Sequence, residues 1–170
     1  MQRRTFMFLT AGTLASLGGC GFALRKAPDF AFSTLFSSLP ESSPLGVELR
    51  RTLQATRKVR VITDVRQIND AQVILDVLTD RRERVVISLN SNGQVRELQL
   101  RLRFRFKLRT LGGRELIPDT ELLLQRDLNF NETQVLAKEA EEALLYRDMQ
   151  NDLVQQLMRR LAAVEQSQLQ

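Results

Sequence analysis

The sequence predicts an α+β fold: a two-layer sandwich with two helices packed on one face of a mixed or antiparallel sheet. Three observations predict it. Residues 98–108 alternate apolar and polar side chains without a break, which fits only the two-residue period of a strand. Turn signals, Asn92-Gly93 and Gly112-Gly113, lie on either side of this strand. A long stripe of apolar residues at spacings of three and four ends the chain.

The first two elements follow from local patterns. Residues 30–36 alternate phenylalanine and threonine with Ala31, Ser33 and Leu35, which predicts a first strand. Ser43 before Pro44 is a typical helix start, and the leucines that follow predict a helix to about Ala55.

The middle of the chain predicts short strands. Residues 59–62 favour a short strand, and the polar stretch 63–72 favours a loop. Residues 73–79 and 85–89 are both rich in β-branched side chains. Because the charged run 80–84 separates them, the pattern predicts two strands here.

The C-terminal part predicts a strand and a long helix. Residues 115–129 favour a strand, with an edge position or a bulge at Pro118. Asn131 predicts a helix cap, with Gln134 as its capping-box partner. The helix should span roughly 30 to 35 residues, on the order of 50 Å. Its apolar stripe comprises Leu136, Ala140, Ala143, Tyr146, Met149, Leu153, Leu157, Leu161 and Val164.

The N-terminus predicts a lipoprotein signal peptide over residues 1–19. A basic start precedes an apolar run too short to span a bilayer, which ends in Leu17-Gly18-Gly19-Cys20. Small residues directly before the only cysteine match the bacterial lipobox. We therefore expect Cys20 to carry a diacylglycerol thioether and an N-acyl chain. A buried free cysteine behind an ordinary signal, or an uncleaved membrane anchor, is the alternative.

Residues around the lipobox predict the export route and the destination. Gly21 follows the cysteine, where aspartate is the usual signal for retention in the inner membrane, so we expect transfer to the outer membrane. The mature chain would then form one domain, residues 20–170. The opening Arg3-Arg4-Thr5-Phe6 partly matches a twin-arginine motif. The general secretion route is favoured, and the twin-arginine route stays open.

Composition excludes several kinds of chemistry. The chain has no histidine, no tryptophan and one cysteine, so it cannot form zinc or haem sites of the usual type, or Cys/His and Ser/His/Asp catalytic groups. A structural disulfide is excluded as well. Removing Arg3 and Arg4 with the signal leaves 23 basic and 20 acidic side chains, a net charge of +3. We expect a non-enzymatic binding or structural protein without a cofactor.

One predicted strand carries a row of like charges. This basic row comprises Arg101, Arg103, Arg105, Lys107 and Arg109. Side chains two apart on a strand lie nearly 7 Å apart, so the row is on the order of 27 Å long. It is either a solvated face balanced by acids on neighbouring strands or a surface for an anionic partner such as a phosphorylated lipid. The candidate balancing acids are Glu115, Asp119, Glu121 and Asp127.

Three motifs in order resemble the LptE family of lipopolysaccharide-assembly lipoproteins. They are Cys20-Gly21-Phe22-Ala23-Leu24-Arg25, the Asn92-Gly93 turn leading into Glu97-Leu98-Gln99-Leu100, and Val135-Leu136-Ala137-Lys138-Glu139. The resemblance extends over the whole mature chain. It implies two helices on a four-stranded sheet. It also implies that the protein plugs the lumen of the outer-membrane β-barrel LptD and binds lipopolysaccharide, with no role for nucleic acid.

The resemblance also implies two basic positions for lipopolysaccharide binding. Lys138 matches one of them, although an ordinary helix lysine paired with Glu142 would look the same. Ser91 stands at the other position, so the family pattern does not transfer directly. Arg96, just after the turn, could supply that charge, and the basic-row residues Arg101, Arg103 and Arg105 are further candidates.

Two other function classes remain. A lipoprotein could instead be a non-enzymatic scaffold or an accessory subunit of another envelope complex, for lipid transport or for the cell wall. Purification from detergent separates these hypotheses, because a barrel plug requires a stoichiometric barrel partner. An enzyme that uses carboxylates is the third class, but no paired-carboxylate pattern stands out.

Overall fold

The computed structural model describes residues 28–130 and 135–169. The predicted signal, Cys20 and the predicted cap Asn131 with Gln134 lie outside these residues. Five strands and two helices occur in the described part, together with short 3₁₀ helices at Val65–Asp70 and Gln166–Gln168. The strands and helices are β1 (Thr34–Ser37), α1 (Pro44–Ala55), β2 (Arg60–Ile62), β3 (Val73–Leu89), β4 (Val95–Thr110), β5 (Glu115–Asn129) and α2 (Val135–Ala162).

The sheet is mixed and five-stranded, in the order β2-β1-β3-β4-β5. β1 pairs in parallel with β2 and β3, while β3, β4 and β5 form antiparallel hairpins. The α+β class is confirmed, but the expected count of four strands is wrong. The three-residue β2 lies where residues 59–62 predicted a short strand, whereas the count of four came from the family resemblance.

The second correction concerns β3, which is one strand of 17 residues rather than two. The charged run 80–84 does not break the strand, because each charged side chain either contacts a partner or is exposed to solvent on the face to which it points. Arg82 and Arg84 bind side chains of α2, and Glu83 pairs with Arg103 of β4. Continuous hydrogen bonding to β4 supplies the rest of the stabilisation.

Two bulges in β3 change which of its residues face the helices. The register against β4 shifts between Val77 and Thr79, and again near Ser88. Before the first bulge Leu75 pairs opposite Leu108; after it Arg82 pairs opposite Leu102. A one-residue insertion reverses the side-chain alternation. The second half of β3 therefore directs arginines, rather than leucines, towards the helices.

Both helices cover the same face of the sheet, as predicted. Their buried leucines and methionines join the apolar row of β4 in one core cluster. Phe104 and Phe106 lie at its centre with no exposed surface and their rings 5.5 Å apart. We call this side the helix-covered face and the other side the open face.

α1 forms where the sequence predicted it. The Ser43 side chain accepts a hydrogen bond from the Gly46 amide at 3.2 Å, and Pro44 occupies the first turn. Leu45, Leu49 and Leu53 are buried on one stripe. A Cβ at Gly46 would lie 3.0 Å from the Pro40 carbonyl oxygen, so the close approach of the preceding loop requires glycine.

The first strand is shorter than predicted, and the predicted loop is partly helical. β1 begins at Thr34 rather than at residue 30. The stretch 63–72 contains the 3₁₀ helix Val65–Asp70, in which Ile68 packs on a second cluster. That cluster consists of Phe36, Ile62, Ala71 and Ile74. Because β1 residues alternate between the two clusters, this small core lies on the open face.

The long strands and α2 give the molecule two ends. We call one end the proximal pole: β1, β2 and β3 start there, α2 ends there, and the turn Thr110–Arg114 lies there. We call the other end the distal pole: β3 ends there, α2 begins there, and the turn Asn90–Gly93 lies there. A 17-residue strand spans about 55 Å. Gly93 and Gly113 have positive φ angles, as both turns require.

β5 and α2 largely agree with the predictions. β5 is an edge strand, and its register against β4 skips Pro118 and Asp119, so the predicted irregularity at the proline is confirmed. α2 has 28 described residues, slightly fewer than expected. Its C-terminal turns bury the predicted stripe from Tyr146 to Leu161, whereas Leu136, Ala140 and Ala143 at its start are exposed.

Candidate functional site

The basic row lies on the open face, and neighbouring acids neutralise most of it. Arg103 lies 2.7 Å from Glu121 on β5 and 3.4 Å from Glu83 on β3. Arg105 forms a two-bonded pair with Asp119, at 2.6 and 2.5 Å. These pairs connect all three long strands across the open face.

The proximal end of the row follows the same principle. Arg109 donates to Asp76 of β3 at 2.7 Å, and the Lys107 ammonium lies 4.0 Å from the same carboxylate. Of the predicted balancing acids, Asp119 and Glu121 pair with the row. Asp127 accepts a hydrogen bond from Gln99 instead. Glu115 lies opposite Arg109 in the strand register, without forming an ion pair in the described part of the chain.

Ion pairing changes the acid–base properties of the row as expected for charge-assisted hydrogen bonds. The hydrogen bond from Arg105 lowers the pKa of Asp119, and the carboxylate in turn raises the pKa of Arg105. The hydrogen bond to Glu121 raises the pKa of Arg103. All three side chains stay charged at neutral pH, so the pairs persist there.

Arg101 and Arg96 keep their charge available. Arg101 donates to Gln99 at 2.8 Å but pairs with no acid among the described residues. Arg96 is exposed near the distal turn, and its side chain forms no ion pair within residues 28–130 and 135–169. Of the predicted basic contacts, these two are the arginines whose charge no neighbouring carboxylate neutralises in the described structure.

Lys138 lies at the distal pole, and most of its side chain packs against the protein. Its side chain is only 18% exposed, and its ammonium lies 2.8 Å from Glu141 at i+3. The sequence suggested Glu142 as the partner, and this pairing is wrong because Glu142 faces the sheet. Ser91 is exposed in the turn Asn90–Gly93. The structure thus places Lys138, Ser91 and Arg96 at the same pole.

Glu142 belongs to a charged cluster that the sequence did not predict. Arg84 donates two hydrogen bonds to it, at 2.7 and 2.5 Å. Tyr146, one turn later, donates its hydroxyl to the Glu83 carbonyl oxygen at 2.8 Å, and the Arg82 guanidinium lies 5.1 Å from its ring centre. With Glu139 these side chains line an open cleft of about 340 Å³.

Burial and pairing perturb this cluster. The hydrogen bond to Glu142 raises the pKa of Arg84. Desolvation, with a smaller effect of Glu142, raises the pKa of Tyr146. The signal in the sequence was the position of Glu142, four residues before Tyr146 on the buried stripe. It was missed because a glutamate there looks like a solvated helix residue.

The start of α2 presents apolar side chains to solvent. Leu136 is 82% exposed and Leu144 is 55% exposed, while Lys138 and Glu142 face the sheet. The end of β3 is similar: Val86, Ile87 and Leu89 are all exposed. Exposed apolar side chains concentrated at one end of a molecule mark an interaction surface.

The rest of the described chain carries no further site chemistry. No group of three or more acidic or cysteine side chains in residues 28–130 and 135–169 is placed to hold a metal ion. Among the described helices, none combines the length and the apolar character needed to cross a membrane.

Comparison with solved structures identifies the class of fold. Lipoprotein B from Nitrosomonas europaea, solved by NMR, is 33% identical, with a TM-score of 0.69 over 84% of this chain and 91% of that chain. The rare lipoprotein B of Shewanella oneidensis is 27% identical, with a TM-score of 0.60 over 76% and 92%. A minor lipoprotein of Acinetobacter baumannii, 24% identical with a TM-score of 0.60 over 79% and 94%, shares the fold. The fold is therefore one found in small bacterial lipoproteins.

Sequence comparison identifies the family. The model of the lipopolysaccharide-assembly family LptE matches residues 32–161. The chain therefore belongs to the LptE family. The LPS-assembly lipoprotein LptE of Pectobacterium atrosepticum is 28% identical over 99% of this chain and 90% of that protein. The protein of the same name from Yersinia enterocolitica is 27% identical over 99% and 81%. The resemblance predicted from three motifs is confirmed.

Proposed function

We propose that this protein is a non-enzymatic outer-membrane lipoprotein that plugs and helps to assemble the LptD β-barrel and delivers lipopolysaccharide to the outer leaflet. The observation that carries the proposal is the family match over residues 32–161. The relatives of Pectobacterium and Yersinia are named as lipopolysaccharide-assembly lipoproteins. Acyl chains on Cys20 would deliver the protein to the outer membrane.

The open face supports the plug. Across β3, β4 and β5 it is a polar surface of cross-strand ion pairs, and its central side chains are half-buried or exposed. Such a surface resists aggregation and suits a water-lined barrel interior. The length of the long strands, about 55 Å, exceeds the thickness of a bilayer.

The distal pole supports contact with a lipid. Exposed leucines, together with Arg96 and Lys138, supply both apolar and cationic contacts at one end. Lipopolysaccharide offers acyl chains and phosphates to such a surface. Within the basic row, Arg101 is the strongest candidate for a phosphate contact, since Arg103 and Arg105 are already paired with acids.

Depletion in the parent bacterium tests the transport role. We expect lipopolysaccharide to accumulate in the periplasm and the barrel to misassemble, because an empty barrel lacks its plug. Cell-surface labelling and barrel mobility on semi-native gels measure the two effects. Normal surface lipopolysaccharide after depletion would contradict the proposal.

Purification in detergent tests the partner. The mature protein should copurify with one barrel per copy, and photo-crosslinkers placed at Asn92 and Gly112, in the two turns, should map where each pole contacts it. Recovery of another envelope complex without a barrel would favour the scaffold hypothesis instead.

Substitution of basic residues tests lipid binding. Arg96→Gln with Arg101→Gln should weaken lipopolysaccharide binding, whereas Arg103→Gln with Arg105→Gln should weaken it less, because the second pair is already neutralised. The second pair is a matched control of equal charge change from the same sheet. Equal binding by both double variants and the unchanged protein would remove the open face from the lipid site.

A further inference from the structure

The described chain begins at the proximal pole. The Ser33 amide donates to the Gln72 side chain at 2.7 Å, just before β3 starts, and Asp29 pairs with Lys58 just before β2 starts. Residues 28–33 therefore lie at that pole. Cys20 is eight residues before Pro28, a distance of at most about 28 Å for an extended chain.

The proximal pole is rich in cations that no acid neutralises. Five arginines there form no ion pair with any residue in 28–130 and 135–169: Arg57, Arg60, Arg114, Arg159 and Arg160. The Arg114 guanidinium donates to the Gln168 carbonyl oxygen, at 3.3 Å. The acids at this end that form no ion pair are Asp70, Glu115 and Glu165. The pole therefore carries an excess of positive charge.

Arg57 occupies an unusual position for an arginine. It follows α1 with a φ of 56°, in the left-handed region, and its amide donates to the Gln54 carbonyl oxygen. Glycine is the usual residue at such a helix end because it adopts this conformation without steric cost. A cation gains from the helix dipole there, but several positions of the last turn would give the same gain without backbone strain.

An exposed apolar side chain lies at the same pole, in a cleft that it shares with Arg114. Leu111 is 42% exposed at the tip of the turn between β4 and β5. It borders a cleft of about 540 Å³ that Ala71 and Leu169 also line. An exposed leucine on a pole that also carries unpaired arginines matches the composition of a membrane interface, where the apolar group enters the headgroup layer and the cations bind phosphates.

We infer that, before the lipoprotein enters the barrel, its proximal pole docks on the anionic phospholipid surface that holds the acyl chains of Cys20, with Leu111 inserted and the arginines against phosphates. This inference rests on the proposed acylation of Cys20. The distal pole carries no such excess of positive charge. Among the described residues level with or beyond Glu83 in the strand register, or in the first turns of α2, five cations (Arg84, Arg96, Arg101, Arg126 and Lys138) stand against six acids (Glu83, Glu97, Asp127, Glu139, Glu141 and Glu142). Docking at the proximal pole fixes the long axis relative to the membrane.

Fluorescence quenching tests the orientation. The acylated mature protein carries a single added thiol, Leu111→Cys or Leu89→Cys, labelled with a fluorophore. The protein is placed in vesicles of phosphatidylcholine, alone or mixed with phosphatidylglycerol, that contain a brominated lipid. We expect quenching at position 111, stronger with phosphatidylglycerol and weaker in high salt, and little quenching at 89. Equal quenching at the two positions would overturn the inference.

Charge substitutions test whether the proximal arginines cause the binding to anionic vesicles. The triple variant Arg57→Gln, Arg159→Gln, Arg160→Gln should reduce affinity for phosphatidylglycerol vesicles by at least roughly tenfold, since each basic residue near an anionic membrane contributes. The matched control replaces three exposed arginines elsewhere that form no ion pair within the described residues, namely Arg81, Arg82 and Arg147. An equal loss in the control would assign the effect to net charge alone and contradict docking by this pole.

A tethered form separates this inference from the acylation on which it rests. The native chain contains no histidine, so a hexahistidine segment replacing residue 20 binds vesicles with a nickel-chelating lipid at that point only. Quenching at 111 in the tethered protein, combined with failure of the native protein to float with vesicles, would refute acylation and support docking. Absence of quenching at 111 in the tethered protein would indicate that the pole faces protein or solvent and would overturn the inference.

Discussion

The two ends of α2 are built on opposite principles. Towards the proximal pole, Met149, Leu153 and Leu157 are fully buried against the sheet. Towards the distal pole, the helix turns Lys138 and Glu142 to the sheet and leaves its apolar side chains in solvent. The same helix is thus a core element at one end and an interaction element at the other.

The difference comes from the strand beneath the helix. The bulge after Val77 directs Arg82 and Arg84, rather than Arg81 and Glu83, to the helix-covered face. α2 therefore meets cations at its start and presents Glu142 to them. The exposed start of α2 can therefore change its surface with little loss of packing.

The largest expected effect contrasts two leucines of α2. Leu153→Ala should destabilise the protein by about 2–5 kcal/mol, because it removes a fully buried side chain and leaves a cavity. Leu136→Ala removes an 82% exposed side chain and should change stability by less than about 0.5 kcal/mol. Denaturant unfolding measures both. Similar losses would show that the start of α2 is also packed.

The charged pair at the distal half should respond asymmetrically. Arg84→Met leaves the Glu142 carboxylate, 12% exposed, without its partner, at a cost of about 1–3 kcal/mol. Glu142→Gln leaves the 58% exposed Arg84 side chain to be solvated, and the loss should be below about 1 kcal/mol. The unfolding free energies of the two variants measure the contrast. A larger loss for Glu142→Gln would contradict this account of the cluster.

The substitution Asp80→Asn should change the free energy of unfolding by a smaller amount, which depends on pH. Burial raises the pKa of Asp80, and hydrogen bonding to Ser43 and the charge of Arg82 only partly oppose this. A raised carboxyl pKa in the folded state costs stability, and the cost appears as pH rises through the ordinary aspartate range. Asp80→Asn should therefore increase stability by less than about 1 kcal/mol at neutral pH.

The pH dependence checks that assignment. The gain from Asp80→Asn should vanish well below pH 3.8, the ordinary pKa, where the carboxyl is protonated in both the folded and the unfolded state. Thermal unfolding between acidic and neutral pH measures it, and the exposed Asp70→Asn serves as a control. A gain that is constant with pH would have to arise from packing instead.

The smallest stability effect is expected at Lys138. Lys138→Gln breaks only an i, i+3 pair with the half-exposed Glu141, so stability should change by less than about 0.5 kcal/mol. Binding of lipopolysaccharide should weaken measurably if Lys138 is a contact. Glu141→Gln is the matched control: it frees the ammonium and should leave binding unchanged or stronger. Weaker binding in the control would exclude the lysine as the direct contact.

Local patterns in the sequence determined much of this protein. The period of β4, the two glycine turns and the Ser43-Pro44 start all lie where the sequence predicted, because each depends on neighbours only a few residues away. The family was likewise recognisable from short motifs. The lipobox and Cys20 lie outside the described residues, so lipidation stays a prediction.

Only the tertiary structure decided what depends on partners distant in the chain. The continuity of β3 across residues 80–84 comes from its hydrogen bonds to β4, and the parallel pairing of β2 with β1 joins segments far apart in the chain. Neutralisation of the basic row likewise required Asp76, Glu83, Asp119 and Glu121 to lie within reach. A sequence shows that charges alternate along a strand. Which charges stay available is set by strand register and bulges, and these are settled only when the sheet forms.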